Sequence, residues 1–118
     1  MAEQRHLIAS SDTLLERGTG VRFDVVIDGH EEPAFAVRVN GKVFGYLNRC
    51  AHVPVEMDWM EGEFFDISKS YIICATHGAY YRPDDGYCLG GPCAGQRLVP
   101  VSLLEESGQI FWLQVLKD

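Results

Sequence analysis

Residues 50–81 read CAHVPVEMDWMEGEFFDISKSYIICATHGAYY, and two short boxes in this stretch carry metal-binding side chains. Cys50-Ala51-His52 is a Cys-x-His box and Cys74-Ala75-Thr76-His77 is a Cys-x2-His box. Each offers one thiolate and one imidazole. A structural zinc ion could take all four as a Cys2His2 tetrahedron. A two-iron, two-sulfide cluster could instead take both cysteines on one iron and both histidines on the other. The ligand count alone does not separate these centres. Zinc boxes usually pair like with like, whereas both boxes here are mixed. A mixed box places a sulfur and a nitrogen on each loop, so each loop can reach both irons.

Both boxes follow runs that read as strands. VFGYLN (43–48) leads into the first and SYIICAT (70–76) into the second. Upstream, VRFDVVID (21–28) alternates with Val21, Phe23, Val25 and Ile27 on one face. AFAVRVN (34–40) follows, and Asn40-Gly41 favours a two-residue hairpin. The tail RLVPVSLLEESGQIFWLQVL (97–116) reads as strand, Ser-Gly turn, strand. The one helical signal is SDTLLERG (11–18), with Thr13 and Glu16 in capping-box spacing and Gly18 as a stop. Short strands at this density predict an all-β domain, an antiparallel sandwich or barrel. Residues 47–95 differ from their flanks, holding all four cysteines, three of the five prolines and many of the glycines. The expected organisation is one domain over 1–118. Residues 1–46 and 96–118 form its β base, and 47–95 form a small loop-rich lobe.

Composition narrows the function. At 118 residues the chain can bury a modest core without staples. A net charge of −7 argues against nucleic acid and anionic membrane as partners, because both require basic patches. It suits a partner that carries such a patch. The opening MAEQRHLIAS is polar where a secretory signal is apolar, and no run approaches a membrane span. The expected location is the cytoplasm, where cysteines more often serve metal or thiol chemistry than disulfides.

The stretch 43–101 resembles a Rieske domain. CAH corresponds to the family's first box and CATHGAYY to its second, C-x2-H-G. GGPC at 90–93 corresponds to the Gly-Pro loop that covers the cluster. The resemblance implies the Rieske fold and one [2Fe-2S] cluster per chain, with Cys50 and Cys74 on one iron and His52 and His77 on the other. It implies a supporting role for Gly78, Ala79, Tyr81, Gly91 and Pro92. Two departures are informative. High-potential members carry a further cysteine in each box, forming a disulfide, where this chain has Val55 and Thr76. They also carry a serine donor where this chain has Ala79, while a tyrosine donor is kept as Tyr81. Losing one donor implies a potential in the lower part of the family's range.

Cys88 and Cys93 are extra to the four ligands and read as loop thiols, with a local disulfide as the alternative. His6 and His30 read as surface residues, Trp59 as core packing, and Glu61, Glu63, Asp84 and Asp85 as solvated loop charges. No residue reads as catalytic. The functional reading is a stand-alone one-electron carrier, a Rieske-type ferredoxin between a flavin reductase and a terminal oxygenase or reductase. The alternatives are a small subunit of a larger reductase, resembling that of assimilatory nitrite reductase, and a structural zinc module.

Overall fold

The computed structural model describes residues 2–49, 56–58, 60–74, 78–91 and 95–116. Its strands are β1 (Ala2–Ser10), β2 (Val21–Ile27), β3 (His30–Val39), β4 (Lys42–Leu47), β5 (Ile72–Ile73), β6 (Tyr80–Tyr81), β7 (Cys88–Gly90), β8 (Pro100–Val101), β9 (Leu103–Glu106) and β10 (Gln109–Leu116). They form three antiparallel sheets, ordered β1-β10-β9, β2-β3-β4-β8 and β5-β6-β7. The fold is all-β, as the sequence predicts. Early and late strands do pair, Gly45 with Val101 and Tyr46 with Pro100. The third sheet draws only on residues 72–90.

Turn chemistry sets the registers. Asn40-Gly41 and Ser107-Gly108 join β3 to β4 and β9 to β10 with positive φ at both positions, the geometry whose twist suits a tight hairpin. Asp28-Gly29 does the same between β2 and β3, at φ of 50° and 80°. Along β2, Val21, Phe23 and Val25 turn inward, while Ile27 is exposed beside the hairpin.

Two segments depart from expectation. The polar opening is a full strand, paired along β10 from Ala2 opposite Leu116 to Ser10 opposite Gln109. Its side chains find partners on β9 and β10. Arg5 pairs with Glu106 at 2.7 Å and lies over the Phe111 ring, and His6 stacks on Trp112 with centroids 4.6 Å apart. His6 is therefore a partly buried packing residue and not a bare surface group. SDTLLERG is no helix beyond one 3-10 turn at Ser11–Thr13. Glu16, the expected capping residue, instead accepts the Asn40 and Gly41 amides at 2.5 and 2.8 Å. The hairpin apex holds two unpaired donors that a helix start would have to outbid, and it takes the carboxylate.

The core is continuous from the base into the third sheet. Phe35 of β3 stacks on Phe64 at 3.9 Å, within a buried cluster that includes Met57, Ile72, Cys74 and Tyr81. A second cluster around Val25, Leu47 and Trp112 lies between the other two sheets. Among the described residues no helix is long and apolar enough to cross a membrane.

Arg38 ties the base together. Its guanidinium donates to both carboxylate oxygens of Glu105, at 2.9 and 2.5 Å, and to the carbonyls of Leu14, Ser11 and Gly41. That hydrogen bonding holds the Glu105 carboxyl below its ordinary range. A lowered carboxyl pKa adds stability above the unfolded-state value, and loses it as pH falls through the folded-state one. Glu105→Gln should therefore lower urea stability at pH 7 by about 1.5–3 kcal/mol, the worth of hydrogen bonds to a charged group. The difference from wild type should shrink in urea titrations as pH is lowered below the ordinary carboxylate range.

Candidate metal centre

Of the four expected ligands the structure describes Cys74. Cys50, His52 and His77 lie outside the described residues, as do Pro92, Cys93, Val55, Thr76 and Trp59. What frames the two boxes is described on each side.

Cys74 is fully buried and carries a thiol, not half of a disulfide. β5 delivers it, anchored by the Ile73 amide donating to the Phe64 carbonyl at 2.8 Å. The Cys74 amide donates to the Ala79 carbonyl, and the Gly78 amide donates back to the Cys74 carbonyl, both at 2.8 Å. These two bonds close the chain on itself across the second box. Gly78 supplies the reversal at a φ of 71°, with open space where a side chain would stand.

The Gly-Pro segment meets this loop directly. A Cβ on Gly91, whose φ is 93°, would fall 2.9 Å from the Ala79 Cα. A Cβ on Gly90 would strike the Tyr80 ring at 2.5 Å. Gly91 packs on the Ala79 backbone and Gly90 on the Tyr80 ring, and neither leaves room for a side chain. Ala79 and Tyr81 are fully buried, and Tyr81 pairs with Ile72 on one side and Cys88 on the other. The structure thus gathers Cys74, Gly78, Ala79, Tyr81 and Gly91, which the sequence predicted together.

The first box is framed by a buried polar pair that the sequence reading missed. Asn48 follows β4 and is 1% exposed, and its side chain bonds to Met57 and Asp58 on the far side of the loop. In sequence both residues look like ordinary loop polars, and only their burial sets them apart.

Two further expectations are corrected. Cys88 is buried and disulfide-bonded, with its partner outside the described residues, and is not the loop thiol that the sequence suggests. β7 is three residues long, and a covalent cross-link restrains it more than so short a ladder can. Asp85 is not a merely solvated acid. It takes Arg82 at 2.7 Å and the Tyr87 amide at 2.9 Å, and the Arg82 hydrogen bond lowers its pKa. Beside it the buried Tyr46 hydroxyl donates to the Pro83 carbonyl at 2.7 Å, with burial raising its pKa. These contacts fasten the 82–87 turn onto β4.

Fold and site define an all-β domain in which the chain closes by its own backbone beside a buried cysteine thiol. The model of the Rieske [2Fe-2S] domain family matches residues 5–111, and the chain belongs to that family. The family's cofactor is a [2Fe-2S] cluster, which replaces the structural-zinc alternative. The buried Cys74 thiol, on a loop closed by its own backbone, suits thiolate ligation. The fold is similar to the ferredoxin of carbazole 1,9a-dioxygenase from Nocardioides aromaticivorans IC177, at 22% identity and TM-score 0.72, over 92% of this chain and 96% of that one. A structure described as the complex of reduced oxygenase and oxidized ferredoxin in carbazole 1,9a-dioxygenase matches at 18% identity and TM-score 0.71, over 92% and 91%. The terminal oxygenase of carbazole 1,9a-dioxygenase from Novosphingobium sp. KA1 matches at 26% and 0.67, over 92% of this chain but 29% of that one. No curated protein matches.

The contacts at Gly91 and Gly78 separate space from backbone strain. Gly78→Ala faces only the left-handed backbone penalty of about 1–2 kcal/mol. Gly91→Ala adds a clash with backbone and should lower unfolding stability more, with a matching loss of cluster content. Urea titration and iron analysis of both variants check the order.

Proposed function

We propose that this chain is a one-electron carrier, a Rieske-type ferredoxin that accepts electrons from a flavin reductase and delivers them to a terminal oxygenase or reductase. Support comes mainly from the match along nearly the full length of a ferredoxin, against 29% of an oxygenase chain. In this reading Cys50 and Cys74 hold one iron and His52 and His77 the other. They sit in a lobe over 47–95 that is carried by a base of 1–46 and 96–118.

Bound there, the cluster supplies reversible one-electron transfer. The chain's part is to hold the donors still, so that little reorganisation accompanies the change of charge. The closed second box does this for Cys74, and the buried Asn48 side chain does it for the start of the first. Two neutral imidazoles in place of thiolates make the site easier to reduce than an all-cysteine one. Rieske centres span roughly −150 to +300 mV. Ala79 has no hydroxyl to give and Tyr81 has one, which supports a value in the lower half of that range. Gly78 and Gly91 let backbone amides approach closely. Pro92 belongs to the Gly-Pro segment that covers the site in this reading.

The acidic balance favours a partner with a basic docking patch, in the cytoplasm. Glu61, 82% exposed at its side chain, Glu56 and Asp84 are solvent-facing carboxylates, the first two beside Arg22 and the third beside Arg82. Steering between opposite charges weakens as the Debye length falls from about 10 Å at 0.1 M to 3 Å at 1 M salt. Stopped-flow reduction of an acceptor oxygenase by the reduced chain should therefore slow as salt rises. A rate indifferent to salt would remove the basic-patch partner. A substrate turned over by the isolated chain would refute the carrier reading.

A further inference from the structure

Asn48 is the buried polar residue among the described residues, and it stands at the root of the first ligand loop. The chain leaves β4 at Leu47 and re-enters the core at Met57, which is fully buried. Asn48 spans that gap. Its Oδ1 accepts the Met57 amide at 2.9 Å, and its Nδ2 donates to Asp58 Oδ1 at 3.0 Å. Asp58 is equally enclosed, its side chain 1% exposed. Its Oδ2 accepts the Gly62 amide at 3.0 Å, with Arg22 Nε 3.6 Å away. Gly62 in turn accepts from the Gly20 amide at 2.8 Å. A Cβ on Gly62 would lie 2.5 Å from Thr19 Cγ2, so the chain on the far side of the loop is pressed against the entry to β2.

The donors and acceptors admit little substitution. Among the described residues, the groups that meet the Asp58 carboxylate (Asn48 Nδ2, the Gly62 amide and Arg22 Nε) are all donors, and a carboxylate accepts at both oxygens. Asn48 must accept on one side and donate on the other, which an amide does. Met57 and Cys74 share one hydrophobic cluster, so what fixes Met57 also fixes the first loop relative to the second.

We infer that Asn48 and Asp58 form an amide–carboxylate clasp that positions the first ligand loop against Cys74. Neither residue touches the cluster by this account; both are positioning residues. The inference rests on Cys50 and His52 being ligands, as proposed above.

Exchange of the two side chains tests it. In Asp58→Asn, the new amide must aim its NH2 at either the Asn48 amide or the Gly62 N–H, setting donor against donor out of reach of water. In Asn48→Asp, a second carboxylate oxygen is set beside Asp58 Oδ1. The double exchange N48D/D58N restores the pattern. The carboxylate at 48 accepts from Met57 and from the amide at 58, whose oxygen accepts from Gly62.

The assay is cluster loss from the full chain in excess iron chelator, followed by visible absorbance well below the unfolding temperature. Each single variant should lose its cluster roughly five- to a hundredfold faster, the range that a buried group left unsatisfied costs. The double exchange should return the rate to near wild type. Reduced-state EPR lines should broaden in the single variants and sharpen again in the double. Single variants as slow as wild type, or a double no better than either, would overturn the clasp while the cluster assignment stands. A wild-type chain that takes up no cluster would overturn the ligand assignment, and the clasp with it.

Discussion

Phe35 lies flat on Phe64, with ring centroids 3.9 Å apart and planes within 11°, and the rest of the site depends on that stack. Phe35 belongs to β3, in the middle of the four-stranded sheet, whereas Phe64 lies in the chain between the two boxes. Their contact makes one core of the base and the segment that carries Cys74. Gly20 is constrained by it, because a Cβ there would sit 2.7 Å from the Phe64 ring. The Phe64 carbonyl then receives the Ile73 amide one residue before Cys74. A packing contact between aromatic rings thus sets where the Cys74 thiol stands.

A metal centre built from two loops meets a difficulty that a centre on one helix does not. Loop backbone leaves polar groups without ladder partners, and those groups must be satisfied before the loops can be rigid. The second box satisfies them within itself, between Cys74, Gly78 and Ala79. The first turns to side chains, Asn48 and Asp58, that are buried for that purpose. Glycines at 90 and 91 then allow the covering segment to close on Tyr80 and Ala79.

Much of this was legible in the residues. Asn40-Gly41 and Ser107-Gly108 announced their hairpins because two consecutive positive φ values leave few other residue choices. The boxes announced a metal because thiol and imidazole at such spacing have few other uses. β1 was not legible: Arg5 and His6 are held by Glu106, Phe111 and Trp112 on β9 and β10, so no apolar period marks it. SDTLLERG carried a genuine capping pattern, but Glu16 is within reach of the Asn40 and Gly41 amides, a contact between residues distant in sequence. The clasp and the Cys88 cross-link were hidden for the same reason. Polarity and thiol content are visible locally, whereas burial and pairing belong to the folded chain.

In the proposed centre one histidine from each box reaches the iron. Pulsed EPR on the reduced full chain, isotopically labelled at histidine nitrogen, reads this directly. The account predicts hyperfine coupling from two histidine nitrogens, His52 and His77, on one paramagnetic cluster. A cluster spectrum with no histidine coupling would contradict it.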